Sequence, residues 1–232
     1  MAKAYPADFV RLERHMSDNA TRRIMMVDTQ VRPSDVTKFP IIDAMLTVPR
    51  EAYVPRNLRD MAYVGENLPL ISGRVVLEPR TLAKMLDALD IANDDLVLDI
   101  GCGLGYSTAV MARMAEAVVG LESDASIAQD AQATLSDHDV DNAMIEVGAL
   151  RDGAAEHGPY DVIILQGAVE TVPQALSDQL KENGRICALF AQAALGVVRI
   201  GYKIDGDISW RDVFNAGAPV LEGFEAAKTF SL

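Results

Sequence analysis

Cysteine is nearly missing from this chain. Cys102 stands in a glycine-rich turn and Cys187 in an apolar run, so no disulfide framework holds the fold and each thiol reads as a small reduced filler. Histidine is as scarce: His15, His138 and His157 lie in charged or glycine-rich surroundings without ligand-like spacing, and no metal site is expected. Positive charge is in deficit, with 21 Lys and Arg against 34 Asp and Glu and a net charge of -13. A polyanion partner needs lysine and arginine to displace counterions from phosphates, and here the arginines are scattered, so no nucleic-acid partner is expected. No uninterrupted apolar stretch reaches the roughly 18 residues of a membrane span, and the N-terminus lacks an apolar signal-peptide core. The expectation is a soluble, cytoplasmic protein without a membrane partner. The single tryptophan, Trp210, could anchor an interface but says little alone.

What the chain does have is apolar residues, half of its 232, enough for the core of one large domain or of one domain with an extension. The texture changes near Asn93. Residues 1–92 read as a helical and looped extension, and residues 93–232 as a domain of alternating strands and helices, the two forming one compact unit. Helical spacing is expected over 8–31, 39–46 and 81–89, where Leu82, Met85, Leu86 and Leu89 share a face. Residues 53–80, with several prolines and glycines among short apolar pieces, read as an ordered and functional loop region. From there, strands at 96–100, 117–122, 143–147, 160–165 and 184–190 alternate with helices at 106–115, 124–136 and 173–181. That order implies right-handed crossovers and a parallel sheet covered on both faces. Strands at 197–204 and 225–230 lack an intervening helix and suggest an antiparallel edge. The expected class is therefore α/β and Rossmann-like, a seven-stranded, mostly parallel sheet with helices on both faces and an N-terminal extension.

The most informative stretch is Val97-Leu98-Asp99-Ile100-Gly101-Cys102-Gly103-Leu104-Gly105. An apolar run ending in an acid and then three alternating glycines reads as a buried strand running into a turn, where glycine allows positive φ and lets a ligand sit against the backbone. Tyr106 opens the next helix, and ligands of open α/β sheets bind at that edge. A dinucleotide fingerprint runs G-x-G-x-x-G; here the third glycine comes one position early, and Asp99 would repel a pyrophosphate. A purely structural turn and a nicotinamide or flavin site remain as alternatives. The next strand ends in Glu122, placed to accept hydrogen bonds from two ribose hydroxyls. Strand, acid, glycine loop, helix, strand and acid in series favour S-adenosyl-L-methionine, whose sulfonium and ammonium suit a carboxylate-rich site. Cys102, Gly103, Gly105 and Tyr106 join Asp99, Gly101 and Glu122 as expected cofactor contacts. A reactive thiol at Cys102 is a minor alternative.

Beyond the loop, the chain resembles the protein-L-isoaspartate O-methyltransferase family of class I methyltransferases over roughly residues 25–190. The segments that carry the likeness are Met26-Val27-Asp28-Thr29-Gln30-Val31-Arg32, Val48-Pro49-Arg50-Glu51-Ala52-Tyr53-Val54-Pro55, Tyr160-Asp161-Val162-Ile163 and Val172-Pro173-Gln174-Ala175-Leu176. The resemblance implies methyl transfer to the carboxylate of isoaspartyl residues in a protein or peptide substrate. Two departures stand out. Where the family has Gly-Gln-Thr-Ile-Ser-Gln-Pro, this chain has Gly73-Arg74-Val75-Val76-Leu77-Glu78-Pro79, with Leu77 in the place of a serine at the reacting centre. Where the family has Gly-Asp-Gly for the adenine amino group, it has Gly148-Ala149-Leu150, an apolar wall unless Asp152 swings in. A carboxylate acceptor is ionised near neutral pH and needs no general base, so no catalytic residue follows from the chemistry. Arg74 and Arg80 are candidates to grip the substrate by a bidentate contact, or are solvated loop charges. Glu170, after the fourth strand of the domain, is either substrate-facing or exposed. A cofactor-binding protein with lost or changed methyl transfer is the rival reading, motivated by Leu77, Ala149 and Leu150.

Overall fold

The computed structural model describes residues 18–71, 73–191 and 195–226. Residues 18–26 are helical (α1) and run into a π-helical turn, Val27–Val31, and a 3-10 turn, Arg32–Ser34. After α2 (Phe39–Thr47), the chain passes through 3-10 turns at Arg50–Ala52 and Arg56–Met61. A small hairpin follows, β1 (Leu68–Pro69) against β2 (Val75–Val76). Helix α3 (Pro79–Leu89) starts on a proline, whose fixed φ suits a first helical position, and stops at Asp90 in the left-handed conformation.

The sheet begins at β3 (Leu96–Ile100) and alternates with helices through α4 (Tyr106–Ala112), β4 (Ala117–Glu122), α5 (Ala125–Asp137), β5 (Ala143–Val147), β6 (Tyr160–Val169), α6 (Gln174–Gln179) and β7 (Leu180–Phe190). The meander β8 (Gly196–Ile204) and β9 (Asp207–Ala216) completes it. Strand order is β5-β4-β3-β6-β7-β8-β9, with parallel pairing from β5 to β7 and antiparallel pairing of β7 with β8 and β8 with β9. The central strands read as unbroken apolar runs because both sheet faces are covered. Val97, Val118, Val162, Ile164 and Cys187 feed one core, and Leu98, Ile100, Val119, Ile163 and Ile186 the other. The first core also takes in Met26, Met45, Leu77, Leu82, Met85 and Leu86, so residues of the N-terminal extension pack directly on the sheet. Leu176 of α6, Leu150, Leu221 and Phe224 cover the second face.

Seven strands, the antiparallel edge and the N-terminal helical extension agree with expectation, but one strand of the sheet is not among those expected. The seventh is Asp207–Ala216, reached by a tight turn in which Asp205 and Gly206 both have positive φ, 53° and 87°. Asp-Gly between two strand-forming runs is a strong hairpin signal, and here it joins β8 to β9. Expected strand residues 227–230 and helical residues 8–17 lie outside the described residues. Trp210 sits on β9, its ring edge-on to Phe190 at 4.9 Å. Among the described residues no helix is long and apolar enough to cross a membrane.

Candidate functional site

The strand order reverses at β3: the chain goes to one side through β4 and returns on the other as β6. Crevices at the carboxyl ends of such strands are where open α/β sheets bind ligands. Here the crevice is floored by the turn after β3, in which Gly101, Gly103 and Gly105 have φ of 75°, 57° and 89°. A side chain would be strained at each, and a Cβ on Gly103 would stand 2.8 Å from Leu70 Cδ1.

Asp99, the last polar residue of β3, is fully buried. Its Oδ2 accepts hydrogen bonds from Ser107 Oγ and Thr108 Oγ1, both at 2.7 Å, and its Oδ1 accepts one from Gln166 Nε2 at 2.8 Å. The carboxylate therefore ties the first turn of α4 and the β6 strand to the glycine turn. Burial pushes its pKa up to about 6, against the opposing effect of those three donors, with a further upward push from Glu122. An unfolded aspartate titrates near 3.8. Between about pH 4 and pH 6 the folded chain thus holds a proton that the unfolded chain has released, and stability falls as pH rises through that window. Above it the penalty is constant, about 3 kcal/mol at 1.36 kcal/mol per unit. Asp99→Asn, with the Gln166 amide turned to match, removes the ionisation. Its stability relative to the parent is expected to be higher at pH 7.5 than at pH 4, as read by thermal unfolding at the two pH values. An equal difference at both would show that Asp99 does not titrate as described.

Glu122, at the tip of β4, is also fully buried, and its oxygens are crowded. Arg74 grips it through two parallel bonds, Nη1 to Oε1 at 3.0 Å and Nη2 to Oε2 at 2.9 Å. The backbone N–H groups of Gly103, Ser123 and Asp124 add bonds of 2.9, 2.8 and 3.1 Å. Arg74 Nη2 also donates to the Gly101 carbonyl at 2.8 Å, while its Nε is buried without a partner. Beside the turn, Gly101 and Cys102 line a small cavity of about 10 Å³ together with Leu70, Leu77, Tyr106, Ser107 and Gln166, room for a single water.

Leu77 is buried in the first core but also lines the same small cavity as Gly101, Cys102 and Tyr106, and its carbonyl accepts a hydrogen bond from Arg50. Arg80 is half-exposed, 3.9 Å from Glu78 and 5.8 Å from the Phe214 ring, beside a different groove. Cys102 and Tyr106 line the crevice; burial raises the thiol pKa well above its ordinary value, so the sulfur stays protonated. The Tyr106 ring lies 4.6 Å beneath the Arg50 guanidinium. After β5, Leu150 is buried in the second core and Ala149 is exposed, while the Asp152 side chain points to solvent near Arg151. Glu170 accepts a hydrogen bond from the backbone of Ala226. His157 stands 3.5 Å from Glu146 and 3.7 Å from Glu156, a cluster that spacing along the chain does not reveal.

Sequence reasoning missed four residues that shape the site: Gln166, Ser107, Thr108 and Arg50. A glutamine ending the run Val162-Ile163-Ile164-Leu165 was the available signal for the first. Hydroxyls in the first turn of a glycine-loop helix were the signal for the next two. Arg50 lies in the family-like segment Val48 to Pro55, but nothing there marks it as fully buried and donating to the carbonyls of Ala62 at 2.7 Å and Leu77 at 2.8 Å.

The residue types suit an adenosyl ligand. A buried carboxylate ends the second strand of the domain, side-chain-free positions line the cradle, and the orphaned Arg74 Nε marks a crevice closed by an imperfect internal partner. A mostly parallel seven-stranded sheet with an acid-glycine turn at its switch point and an acid on the neighbouring strand defines a class I methyltransferase. Residues 23–212 match the family described as protein-L-isoaspartate(D-aspartate) O-methyltransferase. The protein-L-isoaspartate O-methyltransferase of Methylorubrum extorquens is 37% identical over 169 residues, 73% of this chain and 74% of that one. That of Syntrophus aciditrophicus is 36% identical over 165 residues, 71% and 76% of the two chains. Among solved structures, a protein-L-isoaspartate O-methyltransferase superposes with a TM-score of 0.75 at 22% identity, over 88% of this chain and 66% of that one. A Plasmodium falciparum protein assigned to the same activity, crystallised in complex with S-adenosyl-L-homocysteine, gives 0.72 at 20% identity, over 88% and 98%. This chain belongs to the protein-L-isoaspartate O-methyltransferase family.

Proposed function

We propose that the chain is an S-adenosyl-L-methionine-dependent carboxyl O-methyltransferase acting on L-isoaspartyl residues of proteins or peptides. The family match over residues 23–212 carries this reading. When bound, the cofactor supplies a methyl group already activated on a sulfonium. The protein's task is then alignment and exclusion of water, which can lower a barrier by several kcal/mol without acid–base chemistry. Glu122 is the group for the ribose hydroxyls, the glycine turn gives the donor its close backbone approach, and Asp99 holds that turn against α4 and β6. Cys102 and Tyr106 line the same crevice. Of the two arginines expected to hold a substrate carboxylate, Arg74 donates to the Gly101 carbonyl of the turn, whereas Arg80 lines a separate groove. A cytoplasmic setting without nucleic-acid or membrane partners is supported by the buried, unpaired cysteines and the net charge of -13.

Incubation of purified protein with methyl-labelled donor and an isoaspartyl peptide is expected to yield a base-labile ester that releases methanol, with none from the aspartyl isomer. Absence of ester at high enzyme removes the repair activity, and donor binding without transfer to any cellular protein would favour the rival reading. Leu77 and Ala149-Leu150 motivate that rival; family membership weighs against it.

A further inference from the structure

We propose that Glu146, Glu156 and His157 form a binding site for a divalent metal ion of the zinc type, which clasps the turn before β6 to the edge strand β5. The site is separate from the crevice at the glycine turn, and the inference does not rest on the methyltransferase reading. Glu146 lies on β5, which ends the sheet beside β4, and Glu156 and His157 lie in the 3-10 turn Ala155–His157. One oxygen of each carboxylate and a ring nitrogen of His157 all fall within 4.8 Å of one another. His157 Nε2 is 3.5 Å from Glu146 Oε2 and 3.7 Å from Glu156 Oε1. Direct hydrogen bonds of N–H to O span about 2.7 to 3.2 Å, so both separations are too long for one. A tetrahedral ion with bonds of about 2.1 Å sets neighbouring ligand atoms about 3.4 Å apart, which is close to the spacing here.

The surroundings also call for a cation. His157 Nε2 is buried and has no hydrogen-bond partner, a costly state for a ring nitrogen unless something else meets it. Among the described residues no Lys or Arg pairs with either glutamate, and the imidazole is their one ionic neighbour. Burial, and then the charges of Glu146 and Glu156, raise the pKa of Tyr160, yet its hydroxyl donates to the Ala154 carbonyl at 2.7 Å rather than to a carboxylate. The turn is held in place by its own bonds: the Ala154 N–H donates to Gln179 Oε1 at 2.9 Å, and the His157 N–H to the Ala154 carbonyl at 3.2 Å. The three ligand groups are therefore set before any ion arrives. An imidazole among them selects zinc and its neighbours over calcium or magnesium, which take oxygen ligands, and three protein ligands leave a fourth position for water.

Titration calorimetry of the full chain with zinc chloride in a non-coordinating buffer tests this. The parent is expected to bind one equivalent, and His157→Ala to bind it at least about tenfold more weakly, since even the loss of a partner behind a ligand costs that much. Glu146→Gln is expected to weaken binding in the same direction and serves if His157→Ala does not fold. His138→Ala is expected to bind as the parent does, which separates this site from zinc held elsewhere. As a second readout, zinc is expected to raise the thermal midpoint of the parent and to leave that of His157→Ala unmoved. No binding by the parent, or unchanged affinity in either folded ligand variant, overturns the metal site and leaves the methyltransferase reading standing.

Discussion

Arg50→Ala is expected to cost the fold more than any single surface change, because it removes a fully buried cation that serves two buried carbonyls. The Ala62 and Leu77 oxygens would each lose their donor, at about 1 to 3 kcal/mol apiece, and the void beneath the guanidinium beside Tyr106 adds to that. Burial lowers the pKa of the guanidinium, so the group already pays for its desolvation, and the carbonyls and the aromatic face are what offset it. Urea unfolding is the measurement, with Arg32→Ala as control: Arg32 makes an exposed i,i+4 pair with Asp28 and is expected to contribute under about 1 kcal/mol. An Arg50→Ala midpoint no lower than the control's would show that the carbonyls find other partners.

Loss of the Glu122 carboxylate is expected to have the largest effect on ligand binding. Glu122→Ala removes the acceptor for two charge-assisted hydrogen bonds of about 1.5 to 3 kcal/mol each, so S-adenosyl-L-homocysteine should bind at least about 100-fold more weakly. The same change strands Arg74, whose side chain is nearly buried, and lowers stability as well. Binding by Glu122→Ala within threefold of the parent would take the ribose contact away from this carboxylate.

Most of the sheet was legible because the patterns that define it are local. Val97-Leu98-Asp99-Ile100 must be covered on both faces to be so continuously apolar, and the alternate residues do enter the two cores. The glycines announced a turn with positive φ, and three of them have it. Strand β9 escaped notice because its exposed side is polar, although the Asp205-Gly206 turn that precedes it is a local hairpin signal. Leu77, which stands where the family has a serine, both belongs to the first core and lines the cavity beside Gly101 and Cys102, a double placement that spacing along the chain cannot express.

By itself, then, the amino-acid order determined what depends on neighbours a few positions apart: the parallel strands, the bend after Asp99 and the acid that ends β4. Tertiary structure alone decided who meets whom. Arg74 and Glu122 are 48 positions apart, Asp99 and Gln166 are 67 apart, and Arg50 reaches Leu77 across 27. Such pairs form only once the two cores have closed and water has been driven from the crevice. Burial then makes an unpaired charge costly enough to draw each arginine onto its partner.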